Sequence, residues 1–156
     1  MNNMNSHYLT QKKFDTLKAE AKELKNQTIP AIAKRIDSAK QMGDLSENAE
    51  YHAAREEMAW AQSRLKELGR ILDNAEIISI ENKSKDIVDI GSKVVVNINN
   101  KEREYTIVGA QEADPAERKI SNESPLGRAF LGRTRGESVQ VEVPSGVQVC
   151  KIVSIN

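Results

Sequence analysis

Between Phe14 and Ala75, apolar residues recur at intervals of three and four, the spacing of one face of an α-helix. The most regular series has the alternation of a coiled-coil a/d seam and runs through Tyr51, Ala54, Met58, Ala61, Leu65, Leu68, Leu72 and Ala75. An earlier series runs through Phe14, Leu17, Ala21 and Leu24 and resumes, out of step, at Ile29, Ile32, Ile36 and Ala39. The interruption falls beside Pro30, where we expect a kink or a helix restarted with Thr28 as its cap.

Neither apolar seam can be buried by an isolated helix. Gly43 and its neighbours allow only a short connection, so the simplest solution is an antiparallel hairpin in which the two seams face each other. Each arm of about 28 residues would extend roughly 40 Å at 1.5 Å per residue. The sequence therefore predicts a long coiled-coil hairpin over residues 1–79, with its tip at 43–50.

After Glu76 the apolar period changes from that of a helix to the alternation of half-buried strands. The alternating positions are Val94, Val96, Ile98, Tyr105, Ile107, Val139, Val141 and Val143. One helix is predicted there, with Ser124 as cap, Pro125 in the first turn and Gly132 as the stop. The fold class is α+β: a helical hairpin, a polar linker at residues 79–86, and a small α+β domain over residues 80–156.

The balance of 23 basic and 23 acidic residues predicts no general electrostatic field for nucleic acid, so any such contact would be local. The polar start MNNMNSHYLT lacks the apolar core of a secretion signal, and no apolar run approaches the ~18 residues of a membrane span. We therefore expect a cytoplasmic protein without membrane insertion. We also expect it to act as a monomer. Cys150 is predicted to be a strand residue rather than a reactive thiol.

The hairpin tip concentrates carboxylates, and two interpretations of Asp44 and Glu47 remain open. In the first, D-L-S-E is a capping box, with Asp44 accepting the N–H of Glu47 and Glu47 reaching back, while Glu50 complements the helix dipole. In the second, the two acids address one hard cation. Two carboxylates match the way proteins hold Mg²⁺, with waters and phosphates completing the shell. They would form half a site, with a partner supplying the rest.

The run GDLSENAEYHAAREE at residues 43–57 resembles the signature of the Gre-type bacterial transcript cleavage factors. A second set of motifs resembles the same family and comprises EADP at 112–115, KIS at 119–121, SPLGRAFLG at 124–132 and VPSG at 143–146. The resemblance covers nearly the whole chain. It implies an N-terminal antiparallel coiled coil and a C-terminal domain of FKBP-like fold.

The resemblance also implies a function. The factor would bind bacterial RNA polymerase, enter its secondary channel and stimulate cleavage of the RNA 3′ end, so the polymerase remains the enzyme. Asp44 and Glu47 would help hold a Mg²⁺ ion shared with the polymerase active site, and the isolated protein would bind none stably. Lys40 and Arg55 are candidate contacts to the nascent RNA 3′ end. The resemblance places polymerase docking at the edge containing Ser124 and Pro125, although starting a helix alone explains these residues.

Three other hypotheses are compatible with parts of the pattern. An inhibitory Gre homologue would occupy the channel without stimulating cleavage, but the retention of Asp44 and Glu47 argues against it. A stand-alone metal-dependent nuclease would need further carboxylate or histidine clusters, which the sequence lacks. A structural coiled-coil adaptor would use the tip acids as caps only.

Overall fold

The computed structural model describes residues 6–44, 46–80 and 85–156, and within it the chain forms two compact units. The hairpin unit spans Phe14–Asn74, and the C-terminal unit combines the residues before Phe14 with those after Asn74. The units thus divide at other positions than the predicted boundary at 79/80. The reason is that the two segments flanking the hairpin form strands, β1 (His7–Thr10) and β2 (Ala75–Ile78). These strands pair in parallel within the C-terminal unit. Residues 81–84 of the predicted linker lie outside the described residues.

The hairpin unit consists of two helical arms. The first arm runs through α1 (Gln11–Glu23), a π-helical segment (Leu24–Thr28) and α2 (Ile29–Lys40), and the second arm is α3 (Ala49–Asp73). The predicted seams face inward, with these side chains buried: Leu17, Leu24, Ile32, Ile36, Ala39, Ala54, Ala61 and Leu68. Ion pairs of Arg64 with Glu20 and of Arg35 with Glu50 link the two arms.

The helix continues through Pro30 by widening one turn. The N–H of Ile29 donates to the carbonyl of Leu24, five residues earlier, as in a π-helix. Thr28 has helical dihedral angles and no side-chain cap, so a helix restart at Thr28 is wrong. The extra residue explains the slipped period, because a five-residue turn keeps both Leu24 and Ile29 on the inward face. The widened turn lies directly before Pro30, which has no N–H to donate within the helix.

The C-terminal unit is built on a five-stranded sheet in the order β5-β4-β3-β7-β6. Its strands are β3 (Lys93–Ile98), β4 (Lys101–Val108), β5 (Lys119–Ser121), β6 (Ser138–Val143) and β7 (Gly146–Ile155). All neighbouring pairs are antiparallel except β4 and β5, which are parallel. Asn99 and Asn100, both at positive φ, form the two-residue hairpin loop between β3 and β4.

Helix α4 (Pro125–Phe130) closes the core of this unit. Phe130 is fully buried among the alternating strand residues that the sequence predicted, including Val94, Val96 and Ile107. Cys150 is a core residue as well, and desolvation by burial raises the pKa of its thiol. The α+β class, with a helical hairpin followed by a small α+β domain, is therefore confirmed.

Alanine substitutions at Gly127 and at Gly69 are expected to have opposite effects on stability. A Cβ on Gly127 would lie 2.0 Å from the carbonyl oxygen of Ser121, whereas a Cβ on Gly69, inside α3, would meet nothing within 4 Å. We expect Gly127→Ala to destabilise its unit by about 1–3 kcal/mol through overpacking, and Gly69→Ala to stabilise the hairpin by roughly 0.5–1 kcal/mol. Thermal or denaturant unfolding of the two variants checks the signs, and equal effects would contradict the assigned packing.

Candidate functional site

The tip loop between α2 and α3 is closed by Asn48. Its side-chain oxygen Oδ1 accepts the N–H of Tyr51 at 3.0 Å, which makes Asn48 the N-cap of α3. Its Nδ2 donates to the carbonyl oxygen of Ala39 in the last turn of α2, at 2.8 Å. Gly43, at φ 118°, permits the reversal between them. One half-buried side chain therefore joins the end of one helix to the start of the next.

Asp44 does not cap the helix and instead forms a local Asx-turn. Its Oδ1 accepts both the N–H and the hydroxyl of Ser46, at 2.9 and 2.8 Å. The predicted capping box of Asp44 and Glu47 is therefore wrong, because Asn48 lies nearer the first helical turn and takes the cap position. Glu47 is exposed in the same loop.

Hydrogen bonds from the Ser46 N–H, first, and from the Ser46 hydroxyl hold the pKa of Asp44 below its usual value of 3.8. They favour the charged carboxylate. A depressed native pKa contributes stability above the unfolded value, and this contribution is lost as the pH falls through the native value. Asp44 is therefore ionised at neutral pH.

Arg35 ties the base of the tip together. Its guanidinium donates to Glu50 at 3.0 Å and to Glu57 at 2.5 Å. These two acids lie about two turns apart on one face of α3, so one residue of α2 bonds two turns of α3. The two acids raise the pKa of Arg35, Glu50 first. Glu50 and Glu57 thus form part of a cross-helix network, rather than being isolated surface charges. All three side chains are partly exposed, so solvent screens these ion pairs and they add little to stability.

The other predicted tip residues are positioned in the same region. Lys40 is the exposed last residue of α2, and Arg55 is exposed on α3. Tyr51 is half-buried at the start of α3, in agreement with its place on the seam, and its ring lies edge-on to that of His52. The hairpin thus gathers Asp44, Glu47, Lys40 and Arg55 at one end of the unit.

The tip suits a partial metal site. Both hydrogen bonds to Asp44 end on Oδ1, and no other described residue bonds Oδ2, so this carboxylate keeps an oxygen ligand for a hard cation. Within the described ranges, no group of three or more histidine, cysteine or acidic side chains is arranged to hold a metal ion. The residues present fit the role of supplying some ligands of a Mg²⁺ shell, with others coming from a partner.

Ser124 and Pro125 lie in the C-terminal unit and start α4. The Ser124 hydroxyl accepts the N–H of Gly127 at 3.0 Å and donates to the carbonyl of Ser121 at 2.7 Å. Pro125 is exposed in the first turn. The predicted helix start is confirmed, and the docking role of the two residues stays a prediction.

The EADP motif stabilises the C-terminal unit. The carboxylate of Glu112 accepts both the hydroxyl and the N–H of Thr10, which fixes the end of β1. Asp114 accepts the N–H of Ala116 at 2.9 Å and closes the turn around Pro115. These carboxylates are engaged in the fold of their own unit.

Two family models match the chain. The model described as "Transcription elongation factor, N-terminal" covers residues 7–77, and that described as "Transcription elongation factor, GreA/GreB, C-term" covers residues 83–156. The chain belongs to the GreA/GreB family of transcription elongation factors. It therefore is a transcription elongation factor, as the signatures at the tip and in the C-terminal unit predicted. Among the described residues, no helix is both long enough and apolar enough to cross a bilayer.

Curated relatives match nearly the whole length of this GreA/GreB family member. It is 45% identical to transcription elongation factor GreA of Roseiflexus castenholzii, over 95% of this chain and 96% of the relative. It is 42% identical to GreA of Thermotoga maritima, over 94% of this chain and 95% of that one. The crystal structure of GreA factor homolog 1 (Gfh1) of Thermus thermophilus is 24% identical, covering 97% of this chain and 99% of that one, with a TM-score of 0.44. Because that score is below 0.5, the family assignment rests on the sequence matches.

Sequence reasoning missed two residues of the tip. Asn48 stands directly before a helical period, a preferred N-cap position, but the D-L-S-E pattern four residues earlier competed for the same role. Arg35 was missed because its pairing with Glu50 and Glu57 depends on hairpin register rather than on local sequence.

Proposed function

We propose that this elongation factor binds bacterial RNA polymerase, inserts its hairpin through the secondary channel and stimulates endonucleolytic cleavage of backtracked RNA at its 3′ end. Such cleavage would return an arrested elongation complex to synthesis. The single observation that carries the proposal is the pair of exposed carboxylates, Asp44 and Glu47, in the hairpin loop at the family signature. Exposed acids on a narrow helical hairpin can reach a site inside another macromolecule.

In this proposal the factor is an accessory protein, acting as a monomer in the cytoplasm, and the polymerase is the enzyme. Asp44 and Glu47 would add oxygen ligands to a Mg²⁺ ion otherwise held by the polymerase. When bound, the metal supplies charge stabilisation for the attacking and leaving oxygens of the hydrolysis. Asp44 suits this role because its carboxylate is ionised at neutral pH and already restrained by Ser46.

Two further contacts belong to the proposal. Lys40 and Arg55, exposed on either side of the tip loop, would contact phosphates near the RNA 3′ end, where basic side chains position nucleic acid without reading its sequence. The start of α4, where Pro125 is exposed and Ser124 fixes the helix, would dock on the polymerase.

The inhibitory alternative is disfavoured by the tip itself. A factor that only occupied the channel would not need Asp44 and Glu47 in the family spacing, and this chain has both.

The direct test uses a backtracked elongation complex of the cognate polymerase, with labelled RNA, in the presence and absence of the protein. We expect faster shortening of the RNA from its 3′ end only when protein and polymerase are both present. Cleavage without polymerase would instead identify a nuclease. Binding to polymerase without faster cleavage would identify an inhibitor, and absence of binding would leave a structural adaptor.

A further inference from the structure

Asn48 makes two hydrogen bonds that belong to different helices. The N–H of Tyr51 can only donate, so the atom facing it is Oδ1, and the carbonyl of Ala39 can only accept, so the atom facing it is Nδ2. The orientation of the amide is thus fixed by its two partners. The amide of an asparagine carries its acceptor and its donor on two separate atoms, so it can bond two groups that lie apart.

The second of these bonds completes the end of α2. The carbonyl of Ala39 lies among the last carbonyls of that helix, which have no partner within an α-helix. It accepts the N–H of Met42 at 3.1 Å and the Asn48 amide at 2.8 Å. The loop that carries Asp44 and Glu47 is therefore closed across its base by a side chain next to Glu47.

We propose that Asn48 is a positioning residue for metal binding by the tip: its bond to Ala39 holds the loop so that Asp44 and Glu47 meet a cation together. This inference rests on the proposed function. Two ligands fixed in one loop bind an ion with less loss of conformational entropy than two mobile ones, and groups that orient metal ligands typically change metal affinity about 10–100-fold. Asn48 touches neither metal nor RNA in this scheme.

Asn48→Ser separates the two bonds. Serine is a good N-cap, so the bond to the Tyr51 N–H is replaced, but its hydroxyl is too short to bridge to Ala39. The matched control is Asn74→Ser. The Asn74 Nδ2 donates to the carbonyl of Arg70 at 2.8 Å, so this variant loses the same kind of bond at the other end of α3.

The main measurement is the Mg²⁺ dependence of stimulated RNA cleavage. For Asn48→Ser we expect about a 10-fold higher half-saturating Mg²⁺ concentration, with the rate restored at saturating Mg²⁺ and polymerase binding unchanged. Asn74→Ser should match the wild type. A wild-type Mg²⁺ dependence in Asn48→Ser would overturn the inference, and so would a defect that Mg²⁺ does not restore, because that indicates a purely structural role.

A second measurement uses the free protein and does not depend on polymerase. Amide hydrogen exchange at Ser46, whose N–H is bonded to Asp44, should be several-fold faster in Asn48→Ser and unchanged in Asn74→Ser. Unchanged exchange in both variants would overturn the inference. If wild-type protein failed to stimulate cleavage, the proposed function would fail, while this exchange experiment would still decide whether Asn48 orders the loop.

Discussion

Replacing Asp44 by asparagine, or Glu47 by glutamine, is expected to lower stimulated RNA cleavage by at least about 10- to 100-fold, the usual effect of disturbing a metal site. Each change removes a charge while keeping the shape of the side chain. An amide oxygen is a weaker ligand than a carboxylate for Mg²⁺. Cleavage rates measured with a fixed backtracked complex at limiting Mg²⁺ check this expectation.

Glu56→Gln is the matched control for this pair. Glu56 is an exposed acid on α3, so the substitution removes the same charge from the same hairpin without altering the loop. We expect wild-type cleavage from it, and wild-type binding to polymerase from all three variants. If Glu56→Gln were as defective as the tip variants, net charge rather than ligand position would control the reaction.

Loss of a cap does not explain a defect in the tip variants. Substituting a capping residue typically costs about 0.5–2 kcal/mol, and the sequence alone allowed Asp44 to have that role. The cap of α3 is Asn48, and Asp44 bonds only Ser46 within the described residues. Helicity measured for Asp44→Asn should therefore equal that of the wild type.

The spacing of apolar residues predicted the helices and most strands, because an element that buries one face needs apolar residues at regular intervals. The inward positions Leu17, Ile32, Ala54 and Leu68 are fixed by the 3.6-residue turn, and those of the β3 and β6 strands by alternation. The GreA/GreB signature at residues 43–57 likewise marked the tip before its geometry was known. Patterns of this kind are local in sequence and hence readable from it.

Features that depend on distant partners were not predictable in this way. Strand β1 forms because His7–Thr10 pairs with Ala75–Ile78, a segment that follows the whole hairpin in the sequence. Asn48, and not Asp44, caps α3, and its amide also bonds the carbonyl of Ala39 on the other helix. The π-turn before Pro30 reconciles a proline with a continuous inward face, and the sequence signalled only the interruption.

Phe130→Ala is expected to destabilise the C-terminal unit by about 3–5 kcal/mol, the usual cost of emptying a core site of this size. Phe130 is 0% exposed and its ring lies 6.4 Å from that of Tyr105. The substitution would leave a cavity between α4 and the sheet. Val147→Ala, at a β7 residue that is 61% exposed, should change stability by no more than about 0.5 kcal/mol.

Because the chain forms two compact units, the measurement must resolve them. Residue-resolved hydrogen exchange of the β3 and β7 amides should lose protection in Phe130→Ala, while amides of α3 keep theirs. An equal loss of protection in both units would show that their cores are not independent. If the start of α4 docks on polymerase, the same variant should also weaken polymerase binding, because Phe130 anchors the helix that begins at Ser124, whereas Val147→Ala should leave binding intact.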